Sequence, residues 1–475
     1  MRTMRGLRRV ALSFGVPPLL ALAGYAVLGV GASAAQVAPG GGEVTFTKDI
    51  APILQRSCQT CHRPNSIAPM SLMTYEDTRP WARAIKYRTG LRDKPEAMPP
   101  WFIDKTIGIQ EYKDDISLSD DEVTKIARWV DSGAPRGNPA DLPPPRTFAD
   151  SSRWQLGEPD LIVAAPSVEI AETAPDWWGP IGQVATGLTE DRYVSSVEMR
   201  EVNNLTSGKR ERKTIGALYV VHHLHAGLQY PDGGSVRLPT HEVGRNGDVF
   251  DPKAGVLMKA GSLLDLNVGS VHLHANGTRT KAHVEYGFRF HPRDYQPTKK
   301  LVSVGAATVE LDIKPMEANQ KFEAFTVLQE NTKVVMFEPH MHATGVRMCL
   351  DAIWGSTVET LTCSGYNHGW VRVYTYADDV APLLPKGTIL RITGYFDNTA
   401  ANRNVADPRN WAGLGHRSID NMMINIARGV PLNEEEFQQE LANRRAKLHL
   451  GPGQGIPGCP LCGARTTRAV TNQQP

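Results

Sequence analysis

From about residue 155 to residue 430 the chain runs in short β-branched and aromatic stretches: "RYVSSVEM", "TIGALYVV", "GSLLDLNV", "TKVVMFEP" and "GTILRITGYF". Gly, Pro, Asn and Asp separate them, and no helical period intervenes. Runs of this kind read as strands, and strands that follow one another without helices pair antiparallel. Roughly 275 residues exceed what one sandwich holds, so two mainly antiparallel β-sandwich domains are expected, divided near "HPRDYQPTKKL".

Inside that texture lie "VVHHLHAG", "VHLHANG" and "EPHMHATG". Together they hold His222, His223, His225, His272, His274, His340 and His342, seven of the 14 histidines. Imidazoles crowded this closely are costly to bury without partners. On a strand, positions i and i+2 face the same way, so His340 with His342, His272 with His274, and His223 with His225 can each converge on one ion. The adjacent His222 and His223 share an ion only where the strand ends or bulges. Imidazole suits copper, zinc, iron or nickel, and a thioether beside it favours Cu(I). "SIDNMMIN" supplies Met422 and Met423, and no thiolate or carboxylate accompanies the histidines, which disfavours zinc. For any single pair the plainer alternative is a hydrogen-bonded core or surface histidine.

A second motif stands upstream. "SCQTCHRPN" places Cys58, Cys61 and His62 as C-x-x-C-H, the attachment pattern of c-type haem. Two thiols three positions apart take up the two vinyl groups, and the next imidazole lies under the iron. A bare disulfide or half a zinc site are the competing readings. Before the motif, Phe46, Ile50, Ile53 and Leu54 recur at helical spacing. After it, "LSDDEVTKIARWVDSGAP" opens with Ser119 and Glu122 as a capping box and Leu118 with Val123 as a staple. Val123, Ile126, Ala127 and Val130 form the apolar stripe, and Gly133 and Pro135 end the helix. Two helices bracketing such a motif resemble a class I cytochrome c over about residues 43–135. The resemblance implies a small all-α cytochrome c domain whose second axial ligand is Met98 of "EAMPPW", with Met70 and Met73 as competitors, and an iron that moves electrons.

Arg2, Arg5, Arg8 and Arg9, an apolar stretch from Val10 to Gly31 and "ASAAQ" read as a signal sequence over residues 1–35, cut near Ala34 or Ala35. A retained anchor is the alternative, but Pro17 and Pro18 interrupt the apolar run. The expected mature chain is therefore periplasmic or secreted, without a membrane span, in a compartment where thiols pair unless something holds them. With 52 Lys+Arg against 50 Asp+Glu, charge gives no reason to expect a nucleic-acid partner. The Pro-rich stretch 136–154 reads as a semi-rigid linker. Residues 431–475 read as a terminal helix, acidic at its start and basic at its end, followed by a loose tail. In that tail Cys459 and Cys462 lack a following His, so they form no second haem site of this type; a small disulfide or a loose tail is expected over a metal or redox site.

The ordered set "VVHHLHAG", "VHLHANG", "FEPHMHATG", "ITGYFDNTAANRN" and "SIDNMMIN" makes residues 155–430 resemble the copper type II ascorbate-dependent monooxygenases. These are the peptidylglycine α-hydroxylating and dopamine β-monooxygenases. The resemblance implies two jelly-roll-like domains, 155–296 and 297–430, each with one copper and with solvent between the two ions. His222, His223 and His272 would hold the electron-accepting copper, with His274 and His225 as competitors of His272. His340, His342 and Met422 would hold the oxygen-activating copper, although Asp420-Asn421-Met422 stands where the family has D-E-M and Met423 lies alongside. Cys349 and Cys363 flank an expected hairpin and are expected to pair. The implied activity is hydroxylation of an unknown organic substrate with dioxygen, one haem c relaying single electrons to two coppers from an ascorbate-like reductant or another redox protein. An exported copper-binding electron carrier without hydroxylase activity is the alternative, and a module that binds no copper is a third.

Overall fold

Helical spacing ahead of the C-x-x-C-H motif gives a turn at Phe46–Ile50 running into the helix Ala51–Ser57, with Cys58 at its C-terminal end. The computed structural model describes residues 43–463 except 65, 67, 69, 149–153, 155, 176, 205–219, 243–246, 268–270, 274, 276 and 416–419. The expected signal sequence, His274 and the end of the tail thus lie outside the described residues. The helix Asp120–Asp131 starts at the Ser119–Glu122 capping box, both halves of which are formed. Glu122 also receives Arg56 at 2.7 Å, joining this helix to the one before the motif. Phe46, Ile50, Leu54, Ile126 and Trp129 close a small apolar cluster between the two helices. Trp129, outside the expected stripe, is fully enclosed at 0% exposure, as are Ile50 and Leu54.

The middle of the chain is strand. Arg192–Asn203 and Thr280–Phe290 pair antiparallel along most of their length. Along the second of these, Thr280, Ala282, Val284, Tyr286 and Phe288 are buried while Lys281, His283 and Glu285 are not, the period of two that a half-buried strand requires. Leu161–Ala164, Val168–Ile170, Gly247–Val249 and Val256–Met258 extend this sheet. A smaller four-stranded sheet runs Trp177–Gly179, Val271–Leu273, Val221–Leu224, His241–Glu242. Further on, Gln320–Val327, Ile389–Phe396, Gly345–Trp354 and Thr357–Gly365 form a second large antiparallel sheet in that order. Cys349 stands opposite Cys363 in this sheet, and the two are disulfide-bonded across the hairpin. Pro339–Met341 pairs with Met423–Asn425 beside it.

The expected fold class, a small all-α cytochrome c domain followed by two jelly-roll-like domains, is not what the chain adopts. Strand predominates among the described residues, and the helices of the first ninety are short. The segment after Met98 leaves the helical cluster altogether. Trp101, Ile103, Ile109 and Tyr112 enter the same apolar core as Leu350, Leu361, Tyr374 and Ile392. Asp104 N donates to Cys363 O at 2.9 Å, Ile109 N to Leu361 O at 2.8 Å, and Asp104 accepts Arg347 at 2.7 Å. Gly108 permits the approach: its φ is +63°, and a Cβ there would lie 2.2 Å from Leu361 O. Residues 44–475 accordingly hold together as one unit. The stretch from Trp101 to Tyr112, within the expected helical domain, is a strap on a β core.

At the C-terminal end the helix Glu434–Lys447 is capped by Asn433 and buries Phe437, Leu441 and Arg444. Cys459 and Cys462 are disulfide-bonded and packed with Phe437 and Leu441, so this stretch is docked rather than loose. No helix of the described residues is long and apolar enough to cross a membrane.

Candidate functional site

The strands Val221–Leu224 and Val271–Leu273 put His223 opposite His272. Opposed residues of an antiparallel pair share a face, so both rings project together. The register then shifts: Leu273 pairs with Val221, which leaves His222 as the extra residue of a β-bulge. That bulge turns His222 toward the same side, with its ring 4.8 Å from that of His272 and 5.6 Å from that of His223. Upstream, Glu201 fixes the strand entry by accepting Val221 N at 2.8 Å and Val220 N at 3.1 Å. Burial pushes its carboxyl up to about 7.

One nitrogen from each of His222, His223 and His272 lies within 4.8 Å of the others. Two nitrogens bound to one ion at about 2.0–2.1 Å can be at most about 4.2 Å apart. Three nitrogens about one ion at that distance stand about 3.3–3.6 Å apart, so ring movement of about an ångström closes a three-imidazole site. His223 is 3% exposed, and its Nε2 has no hydrogen-bond partner among the described residues, a donor set suited to a metal. Burial, and next the neighbouring imidazoles, hold His223 well below the usual histidine range, so it is neutral and competent to ligate. His225, by contrast, directs Nδ1 to Thr240 Oγ1 at 3.0 Å.

The second set comes from Pro339–Met341 and the residue after it. His340 and His342 are 3% and 1% exposed with ring centroids 5.5 Å apart. Met341, between them, faces the apolar core, and Met423 pairs with it there. Met423 is fully buried in the core, while its neighbour Met422 is half-buried.

The two sets meet. The His223 ring lies 5.9 Å from that of His340 and stacks on that of His342 at 6.4 Å. The resemblance implied ions parted by solvent; here the imidazoles of both sets form one continuous cluster. A sixth ring, which the motifs did not single out, belongs to it. His368 stacks on His222 at 4.9 Å and lies 5.8 Å from His342. It is held by an Asx turn, Gly369 N donating to Asn367 Oδ1 at 3.0 Å and Trp370 N to Asn367 O at 2.9 Å. The only sequence signal was a lone His in the Asn/Gly turn "YNHGW".

At the upstream motif Cys58, Cys61 and His62 are each half-buried. Cys58 and Cys61 are free thiols, whereas the other four cysteines are paired. Burial pushes the Cys58 thiol up to about 12 and raises that of Cys61. His62 Nδ1 lies 3.2 Å from Met70 O. A carbonyl only accepts, so Nδ1 carries the proton and Nε2 is left for a metal. Met98 is half-buried beside Ala97, which packs with Phe102 and Trp370.

No family model and no curated protein matches the sequence. Among solved structures, similarity is found to PBCV-1 VP54 fitted into a reconstruction of the virophage Sputnik, at 10% identity and TM-score 0.21, covering 57% of this chain and 93% of that one. The PBSX exported protein XepA matches at 7% identity and TM-score 0.14, covering 50% and 87%. The infectious bursal disease virus Gx strain structure matches at 8% identity and TM-score 0.18, covering 59% and 76%. At these scores none bears on the fold or function.

Proposed function

We propose that this chain is an exported oxygenase holding one c-type haem and two copper ions, which hydroxylates a C–H bond of an organic substrate. The balance is R–H + O2 + 2 electrons + 2 protons giving R–OH and water. Bound copper supplies one-electron redox chemistry and activation of dioxygen. His222, His223 and His272 form one ligand set; His340, His342 and Met422 form the other, the thioether favouring the reduced ion. Cys58 and Cys61 attach the porphyrin, and His62, oriented by Met70 O, offers Nε2 to its iron. The paired cysteines 349/363 and 459/462 support an oxidising compartment and hence export.

The observation that carries this reading is the segment 366–373. Its His368 stacks on His222, and its Arg372 is close enough to Cys61 that each feels the other's charge. Four residues span at most about 14 Å when fully extended. One end of this short piece of chain touches the imidazole cluster and the other lies within electrostatic reach of the haem motif, a proximity that supports single-electron delivery. The test is stopped-flow oxidation by dioxygen of the prereduced haem. Copper-loaded protein should reoxidise it faster than copper-free protein; equal rates would defeat the relay.

A further inference from the structure

His222 is the ligand of its set that the strand ladder leaves out: His223 and His272 stand opposite each other, while His222 is the extra residue of the bulge. No cross-strand partner fixes its ring, so holding that ring in a ligating orientation falls to a neighbour from elsewhere in the fold. His368 is that neighbour. Its ring stacks on His222 at 4.9 Å with the planes 27° apart, and it stands outside the three-nitrogen group of His222, His223 and His272.

The other ligand set is held from the same piece of chain. Tyr366, two residues before His368 and 3% exposed, donates its hydroxyl to Met341 O, the carbonyl of the residue between His340 and His342. Tyr366 N donates to Val346 O at 2.9 Å, and the His368 ring lies 5.8 Å from that of His342. The piece is pinned on both sides. Upstream, Gly365 N donates to Phe102 O at 2.8 Å, in a space where a Cβ would lie 2.0 Å from Asp93 O. Downstream, Trp370 is buried against Ala97 and Phe102. A stretch this short between two anchors passes a displacement at one end to the other. We propose that residues 366–368 are a clamp across both ligand sets, His368 being the positioning residue of His222, and Tyr366 that of His340 and His342. This rests on the copper reading above. The groups that orient a metal's ligands here come from one turn, far in sequence from all three histidine motifs.

The experiment titrates Cu(II) into the metal-stripped full chain against a chromophoric chelator, with electron paramagnetic resonance separating the three-imidazole ion from the ion at His340 and His342. Wild type is compared with His368→Ala, His368→Phe and Tyr366→Phe, and circular dichroism with thermal unfolding confirms the fold of each. His368→Ala should weaken the ion at His222 by about 10–100-fold, the usual cost of losing a group that orients a ligand. His368→Phe, which keeps a stacking ring and no donor nitrogen, should restore most of that loss. Tyr366→Phe should weaken the ion at His340 and His342 and, by a smaller factor, the ion at His222. It leaves the contact of His223 with His340 in place, so its effect on the His222 ion travels through the clamp. Unchanged affinity in His368→Ala overturns the positioning role. So does a His368→Phe as weak as His368→Ala, which would make His368 a ligand. A Tyr366→Phe that spares the His222 ion overturns the clamp. Each of these results leaves the copper reading standing, whereas wild-type protein that binds no copper overturns both.

Discussion

His223 is the ligand whose ring touches both histidine sets directly. Its ring lies 5.0 Å from His272, 5.6 Å from His222, 5.9 Å from His340 and 6.4 Å from His342. Replacing even an outer partner of a metal ligand costs about 10–100-fold in affinity, so loss of a ligand is expected to cost at least about 100-fold, or about 2.8 kcal/mol. With free copper at about 100 times Kd, binding stabilises the wild type by about 2.7 kcal/mol; after a 100-fold loss the same copper contributes about 0.4 kcal/mol. His223→Ala should therefore lose about 2.3 kcal/mol of copper-dependent stabilisation, read as denaturant unfolding with and without copper and as calorimetric titration. His272→Ala should weaken only one ion, whereas His223→Ala should also disturb the one held by His340 and His342. Copper binding by His223→Ala at wild-type affinity and stoichiometry would refute the site.

Met422→Ala should weaken the copper at His340 and His342 and abolish oxygen uptake with little change in stability, whereas Met423→Ala should cost about 2–5 kcal/mol of stability; unfolding and copper titration distinguish them. Glu201 binds its proton more tightly folded than unfolded, its pKa rising from 4.5 to about 7. Folding then takes up a proton between these values, so copper-free protein should lose stability as pH rises from about 4.5 to about 7, and Glu201→Gln should flatten that dependence in urea unfolding. Ser119→Ala removes the side-chain cap of the helix Asp120–Asp131 and should cost about 1 kcal/mol in the same assay.

What could be read locally was read. The i, i+2 rule placed His340 and His342 on one face, and the adjacent His222 and His223 demanded a bulge, which the register supplies at His222. The capping box of Ser119 lies within four residues of sequence and formed as expected. The fold class failed where the decisive partners are distant. The segment after Met98 has weak local periodicity, and its direction is decided by Leu361, Cys363 and Arg347, roughly 250 residues away, through pairing that no window of sequence displays. His368 was missed for the same reason: alone in its turn, it has no period, and only the fold brings it onto His222. The convergence of both histidine sets is likewise a property of how the sheets meet, not of either strand.

This long-range docking changes how electron delivery is to be understood. A carrier on a linker delivers electrons at an effective concentration set by linker length and stiffness. The Pro-rich stretch here does not act as such a tether in its described part, since Gln55 Nε2 donates to Pro144 O at 3.0 Å, laying it against the helix before the motif. The strap from Trp101 to Tyr112 buries Trp101, Ile103, Ile109 and Tyr112 in the β core and is clamped by the half-buried Asp104–Arg347 pair at 2.7 Å. Removing one partner of such a pair leaves the other charge poorly solvated, so the clamp resists opening. Distance between motif and imidazoles is then a constant of the fold. Under the proposed function the relay rate depends on the packing of residues 366–373 and on the driving force set at the haem, and an alteration of the Pro-rich stretch that spares the strap leaves it unchanged.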